Sequence, residues 1–440
     1  FGSWEDGAMK TGWQKITVYD DEDNKDDDYD YWFNFKSNGK KRTNETQKKL
    51  NSKYYAFDSR GVMIYEWYNT DEETGSNVYA SAANWNYFGS PEEGARYYKG
   101  WFKVAPPNED NTFLEEDSDS YTFAKKDSED ESERWYYADD TGLVSGEIKK
   151  IKGKYYGFAP EGDWAGRMLT GLCALEMDGS DIKDIWNGSA GIDMDSDDLD
   201  DFFDDVEAGK VSEDYYLYYF GDDDDADSDG AMKTGSTTIK LDGDSYQFYF
   251  KKSGGTESRG RGLHGIEDGD YIYRFGLKIK AESDEKYILV YADGSTGDDG
   301  VTVYPFDSSD IRKYATNGTS GDSYADNLMS GAIQYGTYKN EDGDTVRVIY
   351  GFDAMTGNVD TDIAVYLVNT SGKIQTSKMS AKKDGDDWYW YGIKSSSGRG
   401  VIMYTSEKEL DPYTSSQSDL SDLWDEVKKS SDIASYVTVQ

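Results

Sequence analysis

The chain has 440 residues, of which 88 are Asp or Glu and 47 are Lys or Arg, so its formal net charge at pH 7 is −41. This charge repels nucleic-acid phosphates and anionic membranes, which argues against a nucleic-acid-binding or membrane-inserting protein. A single Cys, Cys173, and a single His, His264, exclude an intrachain disulfide and a zinc site of the Cys/His type.

The apolar fraction is only 36%, and much of it consists of 38 Tyr, 17 Phe and 12 Trp. Large rings bury much area per residue, and Tyr keeps a polar tip, so thin β structures can be stabilised without a thick aliphatic core. The 46 Gly and 6 Pro suit many tight turns. The composition therefore predicts an ordered, mainly β protein.

The same six residues, Gly-Ala-Met-Lys-Thr-Gly, occur at Gly7–Gly12 and again at Gly230–Gly235. A second pattern, in which Leu and Val are spaced between Asp residues, occurs at Asp198–Val206 and at Asp419–Val427. The chain is therefore predicted to contain two related repeats of similar length. Repetition of this kind is typical of modular proteins and rare in single-pocket enzymes.

Short aromatic runs alternate with clusters of Gly, Asp and Asn, which predicts β-hairpins along both repeats. In the first repeat the runs are Tyr31–Phe35, Tyr54–Phe57, Trp85–Phe88, Trp135–Tyr137 and Tyr155–Phe158. In the second repeat they are Tyr246–Phe250, Tyr271–Tyr273, Tyr287–Tyr291, Val346–Tyr350, Ile363–Val368 and Trp388–Tyr391. The acidic stretches at Asp20–Asp30, Asp127–Glu133 and Asp222–Asp229 are interpreted as surface loops.

Each repeat is predicted to end in a short amphipathic helix, because apolar residues follow i, i+3, i+4, i+7 spacing. The two stripes are Leu199, Phe202, Phe203 and Val206, and Leu420, Leu423, Trp424 and Val427. Asp197 and Ser418 lie where N-caps belong. The predicted organisation is a hairpin region at 1–175, an acidic helical segment at 176–219, a second hairpin region at 220–405 and a helical segment at 406–440.

The chain starts and stops at the same phase of the repeat. Phe1-Gly2 matches Phe220-Gly221, and the final Tyr436–Gln440 matches Tyr215–Tyr219 in position. We therefore expect the sequence to be a segment of a longer array.

A smaller motif recurs, in which an aromatic strand is followed by polar residues, Gly-x-Met/Leu, two further residues and Gly-Trp. Its fullest copy is Trp85–Trp101, and others are Gly7–Trp13, Tyr54–Met63, Trp135–Gly146 and Tyr350–Gly357. The motif resembles the cell-wall-binding repeats of Gram-positive surface proteins, a group that includes choline-binding and glucan-binding repeats. The resemblance implies a β-solenoid of stacked hairpins, in which the Met or Leu after each turn packs beneath the next hairpin.

In choline-binding repeats, aromatic residues of successive hairpins enclose a quaternary ammonium group by cation–π attraction. By this resemblance the candidate ligand-binding residues are Trp13, Trp32, Trp85, Tyr87, Trp101 and Trp135. Packing between hairpins is the alternative role for each ring. Ser236 and Glu147 stand where the motif has Trp, so a regular ladder of choline sites is not expected.

Asp225, Asp227 and Asp229, followed by Gly230, have the Asp-x-Asp-x-Asp-Gly form of a calcium loop. The twelfth position of the loop is Ser236, whereas an EF-hand has Glu there. A calcium site and an acid-rich linker are both compatible with this string.

No catalytic constellation is evident, and His264 is expected to be a loop histidine. The sequence therefore predicts a non-catalytic, extracellular surface module that attaches to a cell-wall polymer or glycan of a Gram-positive-type envelope. One alternative is a structural unit of a surface fibre or filament, joined head to tail to copies of itself. A wall-glycan hydrolase is a third, weaker hypothesis, because the chain has many carboxylate pairs but none is distinguished.

Overall fold

The structure is a computed structural model that describes residues 7–18, 29–69, 85–112, 124–128, 131–140, 142–160, 165–221, 230–255, 258–267, 270–293, 301–339, 345–351, 365–375, 379–393, 401–406 and 438–439. These residues are mainly β and form several small antiparallel sheets, as the composition predicted. The chain divides into unit 1, Phe1–Asp193 with Phe220–Met232, and unit 2, Met194–Tyr219 with Lys233–Gln440. Among the described helices, none is long and apolar enough to cross a membrane.

Unit 1 is built from short strands. They are β1 (Gly12–Val18), β2 (Tyr29–Phe35), β3 (Glu45–Leu50), β4 (Lys53–Phe57), β5 (Trp67–Asn69), β6 (Trp85–Tyr87), β7 (Gly100–Val104), β8 (Pro107–Thr112), β9 (Ala124–Asp127), β10 (Arg134–Asp139), β11 (Gly142–Leu143), β12 (Glu147–Ile151), β13 (Lys154–Phe158), β14 (Leu172–Asp178) and β15 (Asp181–Ile185), before a 3-10 helix at Gly188–Gly191. Asp127 was predicted to lie in a surface loop, but it ends β9 and is partly buried.

The strands of unit 1 pair antiparallel in small groups. β1–β2 and β3–β4 are two-stranded, and the larger groups have the orders β11-β10-β7, β6-β5-β9-β8 and β13-β12-β15-β14. Two-residue turns join β3 to β4 and β12 to β13. In the second of these turns, Lys152 and Gly153 both have positive φ, 49° and 91°. Positive φ at both turn residues matches the twist of the flanking strands, which explains the tight hairpin.

Three Gly-x-Met turns are each attached to an earlier aromatic strand by a backbone hydrogen bond. The Met63 N–H donates to the Trp32 carbonyl at 2.8 Å, and the Met168 N–H donates to the Trp135 carbonyl at 2.8 Å. The Met232 N–H donates to the Tyr155 carbonyl at 2.8 Å in the same way. These three turns are therefore tied to strands that precede them in the chain.

Methionine side chains fill the space above glycines of the following turn. A Cβ atom added at Gly94 would overlap the Met63 side chain, and one added at Gly230 would overlap Met168. The expectation that the Met packs against the next hairpin is confirmed at these two turns.

Unit 2 contains helices as well as strands. Its elements are α1 (Ser196–Glu207), β16 (Tyr215–Tyr219), β17 (Gly235–Leu241), β18 (Asp244–Phe250), β19 (Gly265–Glu267), β20 (Tyr271–Arg274), β21 (Leu277–Lys278), β22 (Tyr287–Asp293), β23 (Thr302–Phe306), α2 (Ser308–Asn317), α3 (Ser323–Ala332), β24 (Ile333–Lys339), β25 (Thr345–Gly351), β26 (Val365–Asn369), β27 (Met379–Lys383), β28 (Tyr389–Ile393), β29 (Val401–Thr405) and β30 (Thr438–Val439). Its sheets have the orders β17-β18-β21-β20-β19, β23-β22-β26 and β27-β28-β29-β25-β24-β30.

Helix α1 confirms the first predicted amphipathic helix, and its buried side chains are Leu199, Phe202 and Phe203. The predicted cap is wrong by two residues. Asp195, not Asp197, is the N-cap, and its carboxylate accepts from the Asp198 N–H at 2.9 Å. The second predicted helix, around Leu420–Val427 with its cap at Ser418, lies outside the described residues.

Helices α2 and α3 lie inside the stretch that was predicted as hairpin repeats. Asp307 and Asp322 cap them by accepting hydrogen bonds from backbone N–H groups of their first turns. Their buried faces join a core that is rich in rings. That core includes Ile311, Ala315, Ala325, Met329, Trp390 and Tyr404.

Candidate functional site

The six aromatic residues proposed from the sequence fall into two groups. Trp85 and Tyr87 are 3% and 6% exposed and belong to a buried core with Trp67 and Tyr136. The Trp67 ring lies 6.4 Å from Trp85 and 5.1 Å from Tyr87 between centroids. We therefore leave Trp85 and Tyr87 out of the candidate site, since both side chains are buried away from solvent.

Trp13 and Trp32 form a corner of rings with Tyr55, which we call site A. The Trp13 and Trp32 centroids are 6.5 Å apart and the ring planes cross at 83°. Tyr55 of β4 lies 4.8 Å from Trp13 at 61°. The buried Phe57 ring lies 5.7 Å from Trp13 and supports the corner from within.

Trp101 and Trp135 form a matching corner with Tyr156, which we call site B. The Trp101 and Trp135 centroids are 6.3 Å apart and the planes cross at 87°. Tyr156 lies 4.8 Å from Trp101 at 68°, and the buried Phe158 lies 5.8 Å away. Trp135 is 42% exposed, so one side of this corner faces solvent.

The strand register explains why the same corner forms twice. In site A, Trp32 lies opposite Lys15 on the paired strand, two residues along from Trp13. In site B, Trp135 lies opposite Lys103, two residues along from Trp101. Residues two apart on a strand share a face, so each pair of indoles meets diagonally. The tyrosine comes from the next hairpin in both sites.

Unit 2 has a hairpin of the same type that lacks the indoles. Gly235 pairs with Phe250 at the start of β17, just as Gly12 pairs with Phe35 at the start of β1. Ser236 follows Gly235 where Trp13 follows Gly12. The hairpin frame alone therefore does not produce the ring corner.

Electrostatic contacts distinguish site A. The Glu92 carboxylate accepts from Trp32 Nε1 at 3.1 Å and from Lys15 Nζ at 2.8 Å. The hydrogen bond from Lys15, followed by that from Trp32, lowers the pKa of Glu92. An ionised carboxylate therefore lies at the edge of the Trp32 ring.

Tyr54, next to Tyr55 in β4, already carries cations on its ring. The Arg96 guanidinium lies 5.4 Å from the Tyr54 centroid, and Lys49 Nζ lies 5.6 Å from it. Arg96 is only 8% exposed and follows Gly94-Ala95, where other copies of the motif have Met. Burial lowers the pKa of Arg96.

The remaining sequence candidates have structural roles or lie elsewhere. Nδ1 of His264 accepts from the Phe275 N–H at 3.0 Å, so Nε2 carries the proton and donates to the Val301 carbonyl at 3.0 Å. Burial lowers the pKa of His264 to about 4. Asp225, Asp227 and Asp229 lie outside the described residues. Within the described part, no group of three or more His, Cys, Asp or Glu side chains is placed to hold a metal ion.

Sequence reasoning missed Tyr55 and Tyr156, the third ring of each site. A second internal repeat carries the signal. Lys48–Phe57 and Lys149–Phe158 share a Lys-Lys-aliphatic-x-x-Lys-Tyr-Tyr-x-Phe pattern. The second tyrosine of each copy is the one that completes the ring corner.

No protein-family model matches the chain, and a search of curated protein sequences finds no match. Among solved structures, CbpJ from Streptococcus pneumoniae is 14% identical, covers 88% of this chain and 94% of its own, and has a TM-score of 0.25. Choline binding protein F from Streptococcus pneumoniae is 17% identical, covers 83% of this chain and 99% of its own, and has a TM-score of 0.24. Likeness at this level carries no weight for function.

Proposed function

We propose that the chain is a non-catalytic cell-surface module that binds choline groups of a cell-wall polymer at sites A and B. The observation that carries this proposal is the repeated corner of two indoles and one phenol, built twice from the same hairpin register. The sequence motif that resembles cell-wall-binding repeats supports the same conclusion. A Gram-positive-type envelope is the setting that this motif implies.

A quaternary ammonium group fits such a corner for two reasons. Indole is the best ring for cation–π attraction, which contributes about 0.5–2 kcal/mol per contact. Two indoles at nearly right angles offer two surfaces to one rounded cation, and its methyl groups gain apolar contact as well. Trp13, Trp32, Trp101 and Trp135 supply these surfaces.

The charge of the chain favours a cationic ligand. A net charge of −41 raises the local concentration of cations near the surface. Glu92 places one carboxylate at the Trp32 edge of site A. That carboxylate is paired with Lys15 at 2.8 Å, so it adds little net charge of its own to site A.

The stacking of hairpins supports a β-solenoid arrangement within unit 1. Backbone bonds from Met63 to Trp32 and from Met168 to Trp135 tie each turn to an earlier hairpin. A lone hairpin is marginal in water, so this stacking supplies the buried surface that each hairpin lacks.

A titration with choline chloride at constant ionic strength tests the proposal. Binding is monitored by tryptophan fluorescence and by calorimetry. We expect two sites per chain and a change in fluorescence. The neutral isostere 3,3-dimethyl-1-butanol is the matched control, because it keeps the shape and loses the charge. Equal responses to both compounds, or none to choline, would refute the proposal.

Variants assign the response to the two sites. Trp13→Leu and Trp135→Leu are each expected to reduce the stoichiometry from two to one, and the double variant is expected to abolish binding. Tyr97→Leu is the control, since Tyr97 is 44% exposed and lies outside both corners. Near-UV circular dichroism of each variant confirms that the fold is retained.

The fibre hypothesis makes a different prediction. If the chain is a unit of a filament, it should associate with itself as its concentration rises, without any ligand. Sedimentation velocity over a concentration series distinguishes the filament hypothesis from the attachment hypothesis. A monomer that binds choline favours attachment, whereas a growing series of oligomers that ignores choline favours the filament.

A further inference from the structure

Unit 2 contains a cavity of about 340 Å³ that none of the preceding roles uses. It lies beside the C-terminal end of α1, and its lining includes Val206, Tyr216, Lys251, Arg261 and Phe275. A volume of this order is typical of small-molecule sites, which usually combine apolar walls with a few polar groups.

The backbone brings two basic residues of the lining together. The Lys251 N–H donates to the Arg261 carbonyl at 2.9 Å, and the Gly260 N–H donates to the Lys251 carbonyl at 2.9 Å. A Cβ at Gly262 would overlap the Phe275 carbonyl, so this turn requires glycine. Lys251 and Arg261 are therefore held side by side at the cavity.

The Arg261 guanidinium is oriented by aromatic residues and has no carboxylate partner in the described part of the chain. It lies 3.8 Å from the Tyr216 ring centroid, and its Nε donates to the Tyr218 hydroxyl at 3.3 Å. By contrast, Arg274, which also lines the cavity, pairs with Glu207 at 2.6 Å. Stacking fixes the plane of the guanidinium and leaves its terminal nitrogens to bind an anion in a bidentate manner.

The balance of charge at the cavity is positive, although the chain as a whole is strongly acidic. Glu207 neutralises Arg274, and the lining contains one carboxylate, the exposed Glu213, against Lys251 and Arg261. His264 lines the wall with both ring nitrogens engaged by backbone groups.

The rest of the wall combines polar and apolar side chains. Its apolar residues include Val206, Phe275, Val301 and Val303. A ligand that places an anionic group on the basic pair can therefore set an apolar part of its body against these four side chains, beside polar groups of the same wall.

We propose that this cavity binds a small organic anion, with its carboxylate or phosphate group on Arg261 and Lys251 and an apolar or aromatic body against the valines and Phe275. The site lies within unit 2, whereas sites A and B lie within unit 1. Its ligand is opposite in charge to choline. Tests of this site and tests of the proposed attachment role can therefore give independent results.

Calorimetry and thermal shift with the intact chain test the proposal. The probes are benzoate and phenyl phosphate, and benzamide is the neutral control, all at constant ionic strength. We expect saturable binding of at least one anion and none of benzamide. A preference for benzoate or for phenyl phosphate identifies the anionic group.

Substitutions locate the binding. Arg261→Gln is expected to lower the affinity for the bound anion about tenfold or more, and Arg261→Lys less, because a lysine keeps the charge but loses the bidentate geometry. Lys251→Gln is expected to lower it about threefold or more. Lys252→Gln is the control, since Lys252 is exposed and lies over the Tyr249 ring outside the cavity.

Three outcomes would overturn the proposal. They are no binding of either anion, equal binding of benzamide, and an Arg261→Gln variant that binds as the Lys252→Gln variant does. If Arg261→Gln loses the near-UV signal of the folded state, Lys251→Gln decides the question, and an unchanged affinity in that variant counts against the site.

Discussion

Methionine and glycine act as matched pairs in the turns of unit 1. Met63 fills the space above Gly94, and Met168 fills the space above Gly230. Gly94 has φ of 55° and Gly230 has φ of 67°, so both also need the left-handed conformation that glycine adopts without strain. Each glycine is therefore required for two reasons, one of backbone conformation and one of packing.

Substitution of Gly94 by Ala should destabilise unit 1 by about 2–5 kcal/mol, because backbone strain and overpacking add together. Gly153→Ala is the matched control. Gly153 has φ of 91°, and nothing lies within 4 Å of its added Cβ. Strain alone should then cost about 1–2 kcal/mol. Urea unfolding of both variants measures the difference, and equal losses would contradict the packing role of Met63.

The carboxyl group of Asp127 is unusual in so acidic a chain because it is partly buried. The Tyr87 hydroxyl donates to its Oδ2 at 2.8 Å, and the Asp127 N–H donates to Glu66 at 3.0 Å. Its other oxygen, Oδ1, is buried with no hydrogen-bond partner. Burial raises the pKa of Asp127 to about 7, with Glu66 and Glu133 contributing further in the same direction.

This shift predicts a stability that falls as pH rises from about 4 to about 7. In that range the folded state holds a proton that the unfolded state has lost. Asp127→Asn should therefore be more stable than the parent at pH 8, by about 1–2 kcal/mol once solvent screening of this partly exposed group is allowed for, and should match it near pH 4. Asp140→Asn is the control, because the Asp140 side chain is 77% exposed. A difference that stays constant between pH 4 and pH 8 would rule out this interpretation.

At the scale of elements, helix α1 shows what a sequence pattern specifies and what it leaves open. The i, i+3, i+4 spacing of Leu199, Phe202 and Phe203 specified the buried face. It did not specify the cap, because the sequence offers several acidic residues in succession before that face. Asp195 is selected by its backbone, which is extended with φ of −86° and ψ of −169°.

Asp195→Ala should cost about 1 kcal/mol, because the Asp198 N–H loses its acceptor and the reciprocal bond of the capping box is lost with it. Asp197→Ala should change stability by less than about half of that, since Asp197 only lies in the first turn. Thermal unfolding of the two variants checks the order. If Asp197→Ala loses more stability than Asp195→Ala, Asp197 is the N-cap, as the sequence predicted.

The sequence was less informative where elements meet. Trp13, Trp32, Trp101 and Trp135 were found as candidates because the motif marks them. Tyr55 and Tyr156 were not, because the repeated pattern that contains them does not show which rings they meet. Helices α2 and α3 were missed because their buried apolar stripes are short, consisting of Ile311 and Ala315 in α2 and of Ala325 and Met329 in α3. Asp307 and Asp322, which precede them, were the available signal.

The cavity in unit 2 could not be found from sequence. Lys251 and Arg261 are ten positions apart, and only the backbone hydrogen bonds of the intervening turn bring them to the same wall. The stacking of Arg261 on Tyr216 joins a residue of that turn to a distant strand. Contacts of this kind depend on how strands and turns pack in three dimensions, and the amino-acid sequence alone does not show that packing.

At the scale of the whole molecule, the two repeats share hairpin register but not chemistry. Unit 1 carries both ring corners, whereas the matching hairpin of unit 2 has Ser236 after its first glycine. The repeated frame therefore supports different surfaces on a common arrangement of hairpins.

The charge of −41 predicts that stability depends on salt. Repulsion among carboxylates is screened as the Debye length falls from about 30 Å at 0.01 M to about 10 Å at 0.1 M ionic strength. The urea midpoint should therefore rise between these two NaCl concentrations. Choline chloride is itself a salt, so its binding must be measured at constant ionic strength. A midpoint that does not change would show that the charges are too far apart to interact.

The urea midpoint also distinguishes specific calcium binding from general screening of the surface charge by salt. If Asp225, Asp227 and Asp229 bind calcium, CaCl2 should raise the midpoint more than MgCl2 does at equal ionic strength, because alternate carboxylates suit the larger ion and its flexible coordination. The excess should disappear in Asp227→Asn and persist in Asp140→Asn, which removes the same charge from an exposed position. Equal effects of both ions in all three proteins would mean that these aspartates only contribute to the charge of the surface.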